Sequence, residues 1–458
     1  MVNHKNTILA RHGHKILLAL LFVGIYVIGA SVQAFYVNTD MNKGDQEDYL
    51  SRAIHLKADL NKHMSDGNRM PVYPYLLSFL YTPGISMQEY FQRGKIFNIS
   101  LSVILLFVLY PIFRWCLHGP EAKLLLLIIA FTVFMPRAGY VQCELPFYFL
   151  TFCAFISYWG FLKKPRWWLA ASAGVFAGLG YLTKAAALPA VVWFVACFFI
   201  FHIAVPAMKN IMKGIDNKFK APPKQVLRNT IYLAAFVAIF LTTVRPYINV
   251  NHKMFGHYFY NVNSTFYIWY DSWDDVVKGT RAHGDRVGWP TMPAEDIPTA
   301  TKYWQDHTLS QVLGRLTHGF IVVTTNALGG FGYAQYFCIY FIICILAVIK
   351  QPEAFVEYIK RDNNYLVVIS LVFYFLMYFL LYVFGAAIFK GPRHPLAQYL
   401  PAMFAMFYFL SKFGFSHYSQ KIGCRFNLRE IHIVVFCLLV LDLIFHMPYK
   451  LYQVYAGW

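Results

Sequence analysis

Several windows of about 18 or more residues in this chain carry almost no charge, which is the length a helix needs to cross a bilayer. Ile16–Tyr36, Ile231–Val244, Leu366–Ala387 and Ile431–Phe445 lie at the heart of four of them. Backbone amides in lipid must be satisfied within the segment, so such runs fold as helices or not at all. Composition agrees: 58% of the 458 residues are hydrophobic and 14% charged, against about 45–50% and 25% in soluble domains. The expected class is all-α, a polytopic membrane bundle forming a single unit over residues 1–458.

About eleven transmembrane helices are expected: 16–36, 95–113, 123–137, 141–161, 168–184, 187–206, 229–248, 332–349, 364–386, 396–411 and 431–447. Two long polar stretches interrupt them, 37–93 and 249–320. Each exceeds an ordinary connection, so both are read as structured extracytoplasmic caps carrying interfacial helices.

The formal net charge of +18 does not imply a nucleic-acid partner. The short loops His4–Lys15, Lys163–Trp168, Lys209–Arg228, Lys350–Arg361 and Lys412–Arg429, with Arg114 and Lys123, hold about half of the 40 basic residues. They recur on one side of the expected topology, which the positive-inside rule makes cytoplasmic. The remaining attraction is toward anionic membrane lipids. The eight cysteines are scattered through apolar runs with no CxxC, as small core hydrophobes. The first run reads as a retained helix rather than a cleaved signal.

Chemistry concentrates in the first polar stretch. Asp45, Glu47 and Asp48 follow the first span directly, at the membrane–water border. From Asp48 to Leu60 a helix is expected, with Leu50, Ile54 and Ala58 forming one apolar stripe and the helix lying flat on the interface. An acid at its N-terminus is either a helix cap or, kept ionised by the helix dipole, a general base for a hydroxyl. In the second polar stretch Asp271, Asp274 and Asp275 form an acid patch. It is where a divalent cation could sit, but EF-hand spacing is absent and a solvated face is the plainer reading. His252, His257, His283 and His307 lack zinc-ligand spacing, so no cofactor is assigned, with a divalent cation left open. The loop's many aromatic rings suit an interface or a sugar face. Asn263-Ser264-Thr265 is a glycosylation sequon. Asp442, alone near the middle of the last span, is given a helix neighbour as partner.

Five motifs occur in order: GDxxDYLxxAxxL from Gly44, RxPxYPxLLxxL from Arg69, Gln142-Cys143-Glu144-Leu145-Pro146, Gly178-Leu-Gly-Tyr-Leu-Thr-Lys184, and Arg245-Pro246-Tyr247 through Phe255-Gly256 and on to Tyr270. Together with Arg393-His394-Pro395 through Pro401 they resemble the GT-C membrane glycosyltransferases. The branch they look most like contains the protein O-mannosyltransferases and the lipid A aminoarabinose transferases. The resemblance implies an inverting glycosyltransferase using a polyprenyl- or dolichyl-phosphate-linked sugar and a hydroxyl acceptor on protein, lipid or glycan, with chemistry on the extracytoplasmic face. That face is the periplasm in a bacterial inner membrane, or the lumen of the endoplasmic reticulum in a eukaryote. Asp45 or Asp48 is the implied base. Lys184, Arg245 and Arg393, near the outer ends of expected helices, are the candidate phosphate ligands with His394 assisting, and Arg69 either joins them or pairs with Asp45. Glu144, Arg137, Tyr49 and Tyr73 support them, with Arg137 as partner to Glu144. No P-loop or dinucleotide fingerprint competes. Two rival classes remain: a lipid-linked glycan flippase or transporter, which would need charges at midplane and paired broken helices, and a polymerase or ligase of preassembled glycans.

Overall fold

The computed structural model describes residues 2–211, 223–329, 333–361, 364–389, 391, 393–413 and 428–445, with side chains for all of these except 2–16, 209–211, 223, 329, 333 and 394. Every regular element among the described residues is helical, as the apolar runs require. The main ones in chain order are α1 (Val2–Val32), α2 (Gln46–Ala58), α3 (Val72–Ser78), α4 (Met87–Cys116), α5 (Gly119–Ile129), α6 (Glu144–Lys163), α7 (Trp167–Thr183) and α8 (Leu188–Phe199). After them come α9 (Pro223–Phe255), α10 (Trp273–Lys278), α11 (Ala300–Asp306), α12 (Leu309–Gly329), α13 (Tyr333–Lys350), α14 (Pro352–Lys360), α15 (Asn364–Gly385), α16 (Arg393–Phe413) and α17 (Leu428–Phe445). Short π-type turns, Gln33–Val37, Ala130–Phe134 and Ile200–Ala204, extend α1, α5 and α8.

Each of the eleven expected segments is helical over most of its described length, 141–143, 184 and 386 falling outside the helices, but length and apolarity qualify seven helices to cross a membrane, or eight if α13 and α14, bent by 99°, form one span. This makes a multi-pass membrane protein. α7 has only 17 residues and falls short on length. Helix α12 lies where sequence reading extended the second loop to residue 320. It escapes the apolar pattern because Gln311, Arg315, Thr317 and His318 break it. Asp442 is buried beside Tyr336, a helix neighbour of the kind expected.

Two glycine contacts bring the bundle together where the polar loops attach. A Cβ on Gly139 would fall 2.8 Å from the Ala34 nitrogen, so the end of α1 can touch the turn before α6 only through glycine. On α7, Gly174 and Gly178 let α9 approach until a Cβ would meet Ile239 at 2.9 Å and Thr243 at 2.6 Å. Such small-residue contacts replace the missing hydrophobic drive between helices in lipid.

In the first loop, α2 packs against α3 and the start of α4. The buried side of α2 is Tyr49, Leu50, Ala53 and Leu56, whereas Ala58 faces out and Ile54 is only partly covered. The stripe expected from Leu50, Ile54 and Ala58 is therefore rotated. Tyr49 shifts it, because its ring packs edge-on against Tyr73 of α3 (centroids 5.2 Å apart) in a separate apolar core with Tyr90, Phe91 and Val141. The second loop has its own core around Phe255, Tyr260, Phe266 and Tyr267. The two loops are sewn together at Gly67, whose φ is +70° and whose carbonyl accepts the Val262 N–H (2.8 Å). Beside it the Asn261 amide donates to the Asn68 carbonyl (2.8 Å) and the Asn263 amide to the Asn68 side chain (3.0 Å). The nitrogen a sequon would offer is thus already engaged.

Candidate active site

Asp45 stands at the N-cap of α2, yet its carboxylate makes no capping bond. It turns instead between two guanidinium groups. Oδ1 accepts from Arg69 (2.6 Å) and Oδ2 from Arg393 (2.8 Å), a residue 348 positions away. Asp48 shares the other side of this arrangement, with Oδ2 3.0 Å from Arg69 and 4.0 Å from Arg286 of the second loop. The two acids differ in depth: the Asp45 side chain is 20% exposed and that of Asp48 48%. Burial works to raise the Asp45 carboxyl, but the charges of Arg69 and Arg393, with Lys184 behind them, outweigh it and hold the group well below the usual carboxylate range.

Each cation is placed by a different element. Arg69 follows an Asx-type turn in which the Asp66 carboxylate accepts the backbone N–H groups of Asn68 (2.9 Å) and Arg69 (2.7 Å). The same carboxylate pairs with the buried Arg52 (3.1 Å). The Arg69 guanidinium also lies over the Tyr49 ring, 5.5 Å from its centroid. Arg393 opens α16, and its carbonyl accepts from the Tyr148 hydroxyl of α6 (2.8 Å). Lys184 caps the short helix α7 in an extended conformation and pairs with Glu144 at 3.0 Å. Glu144 is 3% exposed, and its second oxygen has no hydrogen-bond partner among the described residues. Neighbouring Gln142 is likewise buried, with neither amide atom partnered among the described residues.

Of the residues singled out from sequence, Asp45, Asp48, Arg69, Lys184, Glu144 and Arg393 come together in this one charged group. Tyr49 and Tyr73 flank it from below: their hydroxyls donate to the Cys143 sulfur (3.0 Å) and to Asn98 (2.8 Å). Arg137 is buried and acts on Glu144 as a nearby charge, but the ion pair of Glu144 is with Lys184. Arg245 is not part of the group. It is exposed on α9 and has no ion pair among the described residues, because Tyr247, two positions on, takes the inward direction and donates to the Tyr260 carbonyl (3.2 Å). The His394 side chain lies outside the described residues.

Sequence reading missed the support beneath the acids. Gln46, fully buried, forms a reciprocal amide pair with Asn38 (2.8 and 2.9 Å) and accepts the Val141 N–H (2.9 Å). Lys95, also buried, donates to the Ala34 and Asn38 carbonyls (2.8 and 3.1 Å) at the end of α1, where the helix dipole favours a cation. Asn98, one turn along α4, bonds the Tyr140 carbonyl. The available signal was a lysine and an asparagine three apart inside an apolar run. At the acid patch of the second loop, Asp271 binds Arg315 (3.1 Å) and His307 (2.8 Å). No cluster of three or more metal-ligating groups forms among the described residues.

No family model and no curated protein matches this chain. Among solved structures it is similar to an archaeal oligosaccharyltransferase, AglB from Archaeoglobus fulgidus, in complex with an inhibitory peptide and a dolichol-phosphate. The TM-score there is 0.48 and the identity 12%, covering 96% of this chain and 55% of that one. An Archaeoglobus fulgidus oligosaccharyltransferase with zinc and sulfate gives 0.45 and 12%, over 94% and 53%. The chain thus spans about half the length of both. A likeness this distant assigns neither a family nor an activity.

Proposed function

We propose that this chain is a membrane glycosyltransferase of the GT-C type, moving a sugar from a polyprenyl- or dolichyl-phosphate to a hydroxyl acceptor on the extracytoplasmic face. The observation that carries the reading is the Asp45 carboxylate, which forgoes the helix cap and sits at the first loop between two arginines drawn from opposite ends of the chain. A cap or a solvated acid needs neither arginine. A site that handles an anion does, since bidentate-capable guanidiniums at a membrane border suit a phosphate.

The arrangement also implies an order of events. With both arginines on it, Asp45 is a weak base. A donor phosphate entering beside Lys184 competes for Arg393 and Arg69 and so returns basicity to Asp45. The acceptor oxygen then attacks the anomeric carbon from the side opposite the phosphate, and its proton passes to Asp45. The carbon–oxygen bond to phosphate breaks, its electron pair leaving with the lipid phosphate, whose added negative charge the released cations stabilise. The sugar's anomeric configuration inverts in this single displacement. Glu144 positions Lys184, and the Gln142 amide, unpartnered among the described residues, is suited to a sugar hydroxyl. Asp48, more exposed and paired among the described residues with Arg69 and Arg286, is a rim group rather than the base.

The test is transfer by purified protein from a panel of radiolabelled polyprenyl-phosphate sugars to membrane acceptors. Wild type should transfer from at least one donor and Asp45→Asn should not. Full transfer by Asp45→Asn would remove Asp45 from its role. No transfer by wild type from any lipid donor would move the weight to transport of lipid-linked glycans.

A further inference from the structure

A cavity of about 1090 Å³ opens between α1, α4, α5, α16 and α17. None of its lining residues belongs to the carboxylate site, and it does not depend on the transferase reading. Its walls are apolar: Phe22 from α1, Leu106 and Phe107 from α4, Leu127 from α5 and Phe436 from α17 are representative. The polar and charged groups of the lining sit mainly at one end, where α4 turns into α5 and α17 begins. They are His118, Glu121, Lys123, Ser411 and Arg429. The carboxylate of Glu121 is already used, accepting the His118 backbone N–H at the start of α5 (3.1 Å). Lys123 and Arg429 are exposed and have no ion pair among the described residues. Two cations thus stand against one carboxylate in the lining at this end, which leaves it net positive.

The depth of the cavity is informative. Along α1 the lining runs from Leu18 to Tyr26, and along α5 from Glu121 to Phe131. At 1.5 Å per residue these stretches are about 12 and 15 Å long. That is roughly half of the ~30 Å hydrocarbon core, the thickness of one leaflet. The volume stands at the upper end of ligand sites, roughly 300–1,000 Å³. The charged end lies where α4 gives way to α5, the far end of α4 from the loop that carries Asp45.

We propose that this groove is a binding site for one acidic glycerophospholipid of the leaflet on the basic side. Its acyl chains fill the apolar wall, and its phosphate rests at the rim with Lys123 and Arg429. Apolar walls alone would accept any lipid. The two unpaired cations select the anionic headgroup, by roughly fivefold each over a zwitterionic one.

The experiment is mass spectrometry of the detergent-solubilised full chain offered equal amounts of phosphatidylglycerol, phosphatidylcholine and a polyprenyl phosphate. Wild type should retain phosphatidylglycerol over phosphatidylcholine by roughly 25-fold, the product of two such charges. The pair Lys123→Gln and Arg429→Gln should bring the two close to parity. Leu127→Trp, which narrows the groove but keeps both charges, should reduce retention of both phospholipids while the melting temperature stays near wild type. Equal retention by wild type, a preference unchanged in the charge pair, or a folded Leu127→Trp protein that keeps its lipid would each overturn the proposal. Stronger retention of the polyprenyl phosphate through the same two charges would assign the groove to that lipid instead. Loss of transfer by Asp45→Asn has no bearing on the outcome, so the two readings fail separately.

Discussion

Asp45 and Asp48 are three residues apart and carry the same group, yet the fold gives them different surroundings. Two guanidiniums reach Asp45 and the carboxylate is mostly covered, whereas the Asp48 side chain remains about half exposed. Replacing Asp45 by Asn should lower kcat by roughly 10²–10⁴-fold, the range for loss of a general base, while Asp48→Asn should cost less than about tenfold. Comparable losses in a transfer assay would return both acids to contention. Gln142→Leu removes two buried polar atoms that have no hydrogen-bond partner among the described residues, so it should leave the fold intact or steadier. It should raise KM for the donor more than it lowers kcat. An unchanged KM would mean that the amide meets no substrate.

The pH behaviour of Asp45 has a definite sign. Its folded value lies below the ordinary carboxylate value of about 3.9. The ion pairs therefore contribute stability that is complete above that pH and is lost as pH falls toward the folded value. A melting-temperature profile from pH 6 downward should slope in wild type and flatten in Asp45→Asn. Parallel profiles would show that the pairs are not sensed by folding.

At the scale of elements, the site depends on helix ends being held still. Lys184 is delivered by α7, which is short and is fixed to α9 through Gly174 and Gly178. Gly178→Val puts two methyl groups where Thr243 already lies. It should cost roughly 1–3 kcal/mol by overpacking and reduce transfer more than an equally destabilising change far from α7. Activity that merely tracked melting temperature would mean that α7 is scaffold and nothing more. On the other cap, His307 joins α11 to Asp271, and Arg315 closes the knot by donating to the Ile268 and Phe384 carbonyls (2.8 and 2.9 Å). Slight burial works to lower the His307 imidazole, but the Asp271 carboxylate and the Tyr303 carbonyl outweigh it and raise the group above its ordinary value. Here the sign reverses: the contribution is complete below about pH 6.5 and is lost as pH rises through the folded value. His307→Gln should erase that dependence in the melting profile, and its persistence would place the titration elsewhere.

At the scale of the molecule, helices and loops were legible to different degrees. Long uncharged runs announce helices because lipid permits no unsatisfied backbone, and the expected segments are helical over most of their described length. Which helices cross is less legible: α7 is short at 17 residues, α17 carries Arg429, Glu430 and Asp442, and α16 mixes polar residues into its run, so all three fall outside the seven that qualify. In and beside the loops, tertiary contact overruled what periodicity and motifs pointed to. Tyr49 turned α2 by packing on Tyr73, Gln46 went inward to Asn38, and Arg245 was displaced by Tyr247.

The sequence by itself determined the class of the molecule, since composition and run length are local properties that a bilayer reads directly. It also marked acids and bases as candidates, because charge beside an apolar run is costly and so conspicuous. Only the tertiary structure decided which of them meet. Asp45 and Arg393 stand 348 residues apart and lie 2.8 Å from each other. That contact follows from a glycine joining α1 to the turn before α6 and from a tyrosine on α6 holding the first carbonyl of α16. Nothing in the spacing of either residue encodes it. Long-range contacts of this kind come from packing shapes, which exist only once the chain has folded.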